Sequence, residues 1–222
     1  MIKKYIKSFF ALLFLFPIYS NAEIIISKSG GKIHYGWDTD HEIILSYIDR
    51  KDQNILKFAE IAYDRGQKYR DYIVMKAREY DLPDEIFALA AVESSYLTNA
   101  RSSAGAIGMW QFMRPTAREF GLVVGNKDYR TDWKKSTDTA MRYIKHLKDD
   151  HFYGDFELTI LAYNAGLGKV KRAIEKNQTA DVWELIKDKK TFRQESIDYL
   201  PKFILYKNFF DILDQIDNYK QI

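Results

Sequence analysis

The sequence contains no cysteine, and this absence excludes several kinds of site. A chain without thiols cannot form disulfides, thiolate metal sites or a catalytic cysteine, and it offers no cysteine for a lipid anchor. The histidines are also few and form no HExxH pattern; they are His34, His41, His146 and His151. We therefore expect no metal site, no other cofactor, and a fold that depends on its hydrophobic core.

Long apolar runs are absent too, apart from a short one near the start. Three lysines precede that run, and Ser20-Asn21-Ala22 follows it with the small residues that a signal peptidase accepts. We expect residues 1–22 to be a signal peptide that directs the protein to the periplasm or cell envelope. The run is too short for an ordinary membrane span, and an uncleaved N-terminal anchor is the alternative.

Basic residues show no clustering of the kind that indicates nucleic-acid binding. The chain has 34 lysines and arginines against 31 acidic residues, and three of the lysines lie in the expected leader. The remainder is balanced in charge, and no block of positive residues stands out. We expect no nucleic-acid partner, and the sequence leaves protein partners undefined.

Apolar residues recur at helical spacing over most of the chain, and alternating β patterns are scarce. This pattern predicts an all-α fold with helices at about 42–65, 67–80, 84–95, 115–120, 134–149, 155–164, 167–176 and 195–216. Pro201 lies inside the last helix, where we expect a kink or a fresh start. Glu23 to Ile26 could form a short strand. We divide the chain into the leader, a partly helical extension over 23–66 and a helical domain over 67–222.

Glu93 is the residue whose position carries the most chemical information. It shares a helix face with three apolar residues, Ile86, Leu89 and Ala90. The carboxyl also lies near the C-terminal end of its predicted helix, where the macrodipole disfavours negative charge. Burial and dipole both raise the pKa of a carboxyl group, as a general acid at neutral pH requires. A buried glutamate neutralised by a cation is the structural alternative.

Three further segments combine small, polar and aromatic residues. They are Ser102 to Met113, Ala162 to Gly166, and Glu195 to Tyr199. In the first, small residues allow the backbone to approach a ligand, and Trp110 offers a flat face. Each segment alone also has a structural explanation, because an Asn or Gly at a helix end is usually a C-cap and Tyr199 could belong to the core.

Together with Glu93-Ser94, these segments resemble the lytic transglycosylases of the SLT type, glycoside hydrolase family 23. The motifs that carry the resemblance stand in the family's order as Gly108-Met109-Trp110-Gln111, Ala162-Tyr163-Asn164-Ala165-Gly166 and Glu195-Ser196-x-x-Tyr199. The Trp form and Tyr199-Leu200-Pro201-Lys202 are most similar to the membrane-bound murein transglycosylase D branch, whose LysM repeats we do not expect here. The resemblance covers about residues 68–207 and implies a lysozyme-like helical domain of the goose-type lysozyme and SLT kind.

The resemblance also implies an activity and a set of site residues. The family cleaves the β-1,4 bond between N-acetylmuramic acid and N-acetylglucosamine in peptidoglycan without water, which leaves a 1,6-anhydro ring. By resemblance, Glu93 is the single catalytic acid and base, and glycan strands are the partner. The implied substrate-binding residues are Ser102, Trp110, Gln111, Met113, Asn164, Glu195 and Tyr199. Of these, Trp110 and Met113 would line the groove, while Asn164 and Tyr199 would hold the acetamide.

Two other functions stay open from the sequence. A hydrolase of the same architecture, a muramidase, would need a second carboxylate to position water, and Asp128, Asp132 and Glu195 are available for that role. The other alternative is an inactive wall-binding module, against which the intact Glu93, Gln111 and Asn164 argue.

Overall fold

The computed structural model describes residues 25–26, 32–33, 42–50 and 54–220. The expected leader over residues 1–22 lies outside this part of the chain, as do His34 and His41. Among the described residues, no helix combines the length and the apolar character that crossing a membrane requires.

The chain divides into two units, Met1–Asp38 and Thr39–Ile222. In the first unit, strands β1 (Ile25–Ile26) and β2 (Lys32–Ile33) pair in an antiparallel ladder. The short strand expected at residues 23–26 is thus present at its last two residues, and its first two lie outside the described part.

The second unit is built from helices, which confirms the all-α prediction. A two-stranded hairpin of β3 (Val123–Val124) and β4 (Lys127–Asp128) joins two of them. In chain order the helices are α1 (Glu42–Arg50), α2 (Asn54–Glu79), α3 (Ile86–Ser94), α4 (Arg114–Glu119), α5 (Trp133–Lys145), a π-helix (His146–His151), α6 (Phe156–Ala165), α7 (Leu167–Asn177), α8 (Val182–Leu185) and α9 (Gln194–Lys220).

Helix α2 differs from the prediction at Gly66, where the sequence analysis places a helix boundary. The helix passes through Gly66 without interruption. A Cβ at this position would lie 2.6 Å from the Tyr96 ring and 2.8 Å from the Phe87 ring. The glycine therefore allows two aromatic rings to approach the helix, and it does not end the helix. The predicted boundary between the extension and the domain falls inside this continuous helix.

One helix was not predicted, and one of the two expectations at Pro201 is excluded. Helix α8 was not predicted, because four residues are too few to show a helical period. It begins where the Asp181 carboxylate accepts hydrogen bonds from the amides of Trp183 and Glu184. At Pro201 helix α9 does not start afresh, since it runs from Gln194 to Lys220.

Helix α3 lies at the centre of the second unit. Its residues Ile86 to Val92 are all buried, as expected for a helix that is apolar on every side. It packs against α2 and α9, and α9 also packs against α6. Burying each large apolar side chain contributes roughly 2 kcal/mol, so this packing fixes the helix firmly. The C-terminal end of α3, which carries Glu93, is held in place as a result.

Candidate active site

Helix α3 ends one residue after Glu93 in a tight reversal of the backbone. Ser95 and Tyr96 both have positive φ, 50° and 60°. The buried Tyr96 side chain holds this turn, because its hydroxyl donates a hydrogen bond to the Phe87 carbonyl at 2.7 Å. Left-handed conformations of non-glycine residues cost about 1–3 kcal/mol each and are concentrated at functional sites.

Glu93 is partly buried, and its carboxyl oxygen Oε1 accepts a hydrogen bond from the Tyr199 hydroxyl of helix α9. Burial raises the pKa of Glu93 from its ordinary value of 4.5 to about 7, while the Tyr199 hydrogen bond and the charge of Lys202 act in the opposite direction and Glu195 adds to the increase. The increase corresponds to roughly 3 kcal/mol in favour of the protonated form. Near neutral pH both forms of the carboxyl are therefore populated, and Glu93 can both give and accept a proton.

Tyr199 is suited to its role as a donor to this carboxyl. Its side chain is buried, and burial together with the neighbouring Glu93 charge raises the pKa of its phenol well above 10. The phenol consequently remains protonated at any physiological pH. It can only help to hold the carboxyl and stabilise its charged form.

Tyr163 is a residue near Glu93 that the sequence analysis did not include in the site. Burial raises the pKa of its phenol, and the charge of Glu93 raises it further. Its hydroxyl donates a hydrogen bond to the Trp110 carbonyl at 2.8 Å. The signal that could have found it is the motif itself, since Tyr163 directly precedes Asn164 at the end of helix α6.

The segment before α4 is held in shape by Arg130, a buried residue that the sequence analysis did not single out. Its guanidinium donates to the carbonyls of Gly105 and Phe112 at 3.2 and 3.0 Å and pairs with Asp128 at 2.8 Å. Gly108 has a φ of 88°, and a Cβ on it would lie 1.8 Å from the Arg130 carbonyl oxygen. Glycine is required at this position for both reasons.

The same segment is tied to the two helices that flank it. Ser94, the last residue of α3, donates its hydroxyl to the Met109 carbonyl at 2.7 Å. Tyr163 of α6 holds the next carbonyl along the chain, that of Trp110. These two bonds place the segment beside Glu93 and explain why its backbone geometry is so closely constrained.

Trp110 does not occupy the position that the sequence analysis assigned to it. Its side chain is 0% exposed, and its indole Nε1 donates to the Thr137 hydroxyl of α5 at 2.9 Å. The prediction that Trp110 lines a ligand groove is therefore wrong, because neither face of its ring is open to a ligand. The pattern of small residues around an aromatic one could not distinguish a groove wall from a core anchor.

The remaining predicted site residues keep at least part of their surface open. Ser102, Met113 and Glu195 are exposed, and Gln111 and Asn164 are partly exposed. The Ser102 hydroxyl oxygen accepts a hydrogen bond from the Ala106 amide at 3.0 Å, and the Gln111 amide donates to the Gly108 carbonyl at 2.7 Å. Asn164 makes no hydrogen bond through its side chain to the described part of the chain.

Residues 71–186, more than half of the chain, match the family described as the transglycosylase SLT domain. The chain belongs to this family. Among curated proteins, the membrane-bound lytic murein transglycosylase D of Escherichia coli (strain K12) is 34% identical over 165 residues, which are 71% of this chain and 35% of that protein. A putative tributyltin chloride resistance protein of Alteromonas sp. (strain M-1) is 33% identical over 111 residues, 50% of this chain and 53% of that protein. The chain thus spans about a third of the transglycosylase D that it matches.

Two solved structures share the fold of this SLT domain. An inactive mutant of the lytic transglycosylase Slt from Pseudomonas aeruginosa superimposes with a TM-score of 0.55 at 24% identity, covering 66% of this chain and 24% of that one. The 70 kDa soluble lytic transglycosylase of Escherichia coli gives a TM-score of 0.56 at 20% identity, covering 65% and 24%. The fold of the second unit is therefore that of the SLT transglycosylases.

Two other features of the SLT domain do not involve the predicted site residues. His146 and His151 approach to 3.2 Å between their Nε2 atoms, but no group of three metal-binding side chains occurs in the described residues. A cavity of about 270 Å³ lies beside α5, and its walls include Tyr72, Tyr129 and Arg142. No predicted site residue lines it, so this cavity is separate from the surroundings of Glu93.

Proposed function

We propose that this protein is a peptidoglycan lytic transglycosylase in which Glu93 is the catalytic acid and base. The observation that carries the proposal is the state of its carboxyl group, which is partly buried, held by Tyr199, and has a pKa of about 7. A carboxyl with this pKa is protonated often enough to serve as an acid and ionised often enough to serve as a base. Membership of the SLT family and the likeness to transglycosylase D support the same substrate class.

In the first half of the reaction, Glu93 donates its proton to the oxygen that bridges N-acetylmuramic acid and N-acetylglucosamine. The bond from the muramic acid C1 to this oxygen then breaks, and the N-acetyl group of the same sugar supports the positive charge at C1. Glu93 is left as a carboxylate in a poorly solvated position. The hydrogen bond from Tyr199 stabilises that charge.

In the second half, the C6 hydroxyl of the muramic acid attacks its own C1. Glu93 takes the proton of that hydroxyl as the oxygen closes the 1,6-anhydro ring. No water is consumed, and Glu93 returns to its protonated form. One carboxyl is enough, because the substrate supplies both the stabilising group and the nucleophile, whereas ordinary glycosidases need two carboxyl groups.

The sugars would be bound by the predicted site residues other than the buried Trp110. We propose that Ser102, Gln111, Asn164 and Tyr199 bind or orient the sugars and the acetamide, and that the exposed Met113 contributes an apolar wall. Glu195 lies at the start of α9, four residues before Tyr199, and acts on Glu93 through its charge. No cofactor is part of this reaction.

The hydrolase alternative is weakened because two of its three candidate carboxylates already bind other groups of the protein. Asp128 is paired with Arg130, which lowers the pKa of that carboxyl. Asp132 caps helix α5 by accepting a hydrogen bond from the Lys135 amide at 3.1 Å. Glu195 is exposed and is the remaining rival for positioning a water molecule.

Digestion of purified peptidoglycan by the wild type and by Glu93→Gln tests the proposal. The wild type should release products with anhydro ends, which mass spectrometry shows as lighter by one water than hydrolysed ends. Glu93→Gln should fold and release nothing, while the control Glu175→Gln, which changes an exposed glutamate near the end of α7, should keep full activity. Hydrolysed ends would favour the muramidase, and binding without any cleavage by the wild type would favour the inactive wall-binding module.

We also propose that residues 1–22 act as a signal peptide and that the enzyme works in the periplasm or at the cell envelope, where peptidoglycan lies. The likeness to proteins named membrane-bound lytic murein transglycosylases supports this location. Sequencing the N-terminus of the protein recovered from cells would test the cleavage site expected before Glu23.

A further inference from the structure

Lys202, like Tyr199, extends from helix α9 to the last turn of helix α3. It follows Tyr199 by three residues, which places both on one face of helix α9. Its ammonium Nζ donates a hydrogen bond to the Val92 carbonyl at 3.0 Å. Val92 directly precedes Glu93, so α9 holds the end of α3 at two adjacent residues, one through the backbone and one through the carboxyl.

The end of a helix is a place where a cation is favoured. The last carbonyls of a helix lack partners within it and carry partial negative charge. Here the amides of Ser95 and Tyr96 donate to the carbonyls of Ala91 and Ala90, and Lys202 satisfies the carbonyl of Val92. A cation at this end offsets the helix dipole that would otherwise oppose a negative charge on Glu93.

A second cation, which belongs to helix α2 and not to α9, also caps the last turn of α3. Arg65 of helix α2 donates from Nη1 to the Ser95 carbonyl at 2.7 Å. Among the described residues, Tyr199 and Lys202 of α9 lower the pKa of Glu93 and Glu195 of α9 raises it, while the charge of Glu93 in turn raises the pKa of Tyr163 of α6. Arg65 binds a carbonyl two residues beyond Glu93, and no hydrogen bond or ion pair joins it to the Glu93 carboxyl in the described part of the chain. A comparison of substitutions at Lys202 and Arg65 therefore separates the effect of capping the helix from the effect of a charge on the carboxyl.

We propose that Lys202 is a positioning residue of the reaction, whose ammonium fixes the last turn of α3 and stabilises Glu93 when it has given up its proton. The proposal rests on the proposed function for its catalytic part. After the first half of the reaction the site holds a new negative charge, and Lys202 supplies a fixed positive charge at the carbonyl of Val92, the residue before Glu93. Because the ammonium is bound to a backbone carbonyl, it keeps this position while Glu93 changes its protonation state.

The alternative is that Lys202 only caps the helix, as lysines near helix ends commonly do. Loss of a cap would lower the melting temperature and leave the titration of Glu93 unchanged. Loss of a stabilising charge would raise the pKa of Glu93, because the ionised form would become less favourable. The position of the Glu93 titration therefore distinguishes the two roles.

The test compares Lys202→Met, Lys202→Gln and Lys202→Arg with Arg65→Met in the full chain. Gln keeps a polar hydrogen-bond donor but carries no charge, whereas Arg keeps the charge. The Glu93 titration is followed directly by ¹³C NMR of labelled glutamate, assigned with Glu93→Gln. In parallel, kcat and KM on purified peptidoglycan are measured across the pH range.

We expect Met and Gln at position 202 to move the Glu93 midpoint upward by about one pH unit, with kcat reduced several-fold and KM little changed. Lys202→Arg should restore the wild-type midpoint, and Arg65→Met should lower the melting temperature without moving it. An unchanged midpoint in folded Lys202→Gln would overturn the proposal. Because the NMR titration needs no substrate, it gives this answer even if the wild type proves to have another activity.

Discussion

Tyr199 and Glu93 are separated by 106 residues in the sequence, yet the Tyr199 hydroxyl donates directly to the Glu93 carboxyl. The bond joins the first part of α9 to the last turn of α3. Burial acts to keep Glu93 protonated, and this hydrogen bond acts to ionise it, so the two effects oppose each other. Their balance leaves the pKa of Glu93 near neutrality, where one group can act as acid and base in turn.

The first prediction concerns Tyr199→Phe, which removes the hydroxyl and keeps the buried ring. The pKa of Glu93 should rise by about one unit, since the ionised form loses a hydrogen bond. Activity that requires protonated Glu93 should then persist to higher pH, while kcat falls roughly tenfold or more because the carboxylate formed during the reaction is less stabilised. The pH profile of peptidoglycan cleavage measures both effects.

Tyr63→Phe is the matched control for this substitution, because Tyr63 of α2 is a buried tyrosine whose hydroxyl donates to a different carboxylate, that of Asp214, at 2.5 Å. It should leave the pH profile in place. A Tyr199→Phe enzyme with the wild-type profile would show that the hydroxyl does not control the protonation of Glu93.

The second prediction concerns stability and follows from the raised pKa of Glu93. The folded protein binds this proton more tightly than the unfolded chain does, so the favourable contribution is complete below about pH 4.5 and is lost as the pH rises through about 7. Glu93→Gln cannot ionise. It should therefore be more stable than the wild type at pH 8, by up to roughly 3 kcal/mol, and nearly equal to it at pH 4.5.

Denaturant unfolding at the two pH values measures this difference. Glu175→Gln, which changes an exposed glutamate, should show little difference from the wild type at either pH. If Glu93→Gln were no more stable than the wild type at pH 8, ionisation of the Glu93 carboxyl would not destabilise the folded protein.

The sequence predicts the helical architecture and the location of Glu93 because both depend on local patterns. An apolar stretch from Ile86 to Val92 with one carboxyl at its end indicates a buried helix with a perturbed acid. The motif order then identifies the family, and the SLT match over residues 71–186 confirms it. These inferences need no knowledge of which residues meet across the chain.

The parts that the sequence does not reveal depend on contacts between distant residues. Gly66 suggests a helix boundary from the sequence alone, because the packing of the Phe87 and Tyr96 rings against it is visible only in the structure. The sequence pattern around Trp110 predicts a groove wall, because it does not show that Thr137, on a later helix, accepts a hydrogen bond from the indole. No role for Lys202 follows from the sequence, because the carbonyl that it binds belongs to another helix.

The third prediction concerns the two glycines of the segment held by Arg130. Gly105 and Gly108 both have φ near 90°, so alanine is strained by about 1–3 kcal/mol at either position. They differ in their surroundings. A Cβ on Gly108 would lie 1.8 Å from the Arg130 carbonyl oxygen, whereas no atom of the described chain lies within 4 Å of a Cβ on Gly105.

Gly108→Ala should consequently destabilise the fold by roughly 3 kcal/mol or more, because a backbone carbonyl cannot yield as a flexible side chain can. It should also reduce peptidoglycan cleavage strongly, since the displaced backbone carries Gln111 and the carbonyls that Ser94 and Tyr163 hold beside Glu93. Gly105→Ala is the matched control, with the same strain and no clash, and it should lose only the smaller amount of stability. Thermal unfolding and activity of the two variants provide the comparison. Equal losses would mean that positive φ alone, and not the contact with Arg130, makes glycine necessary at position 108.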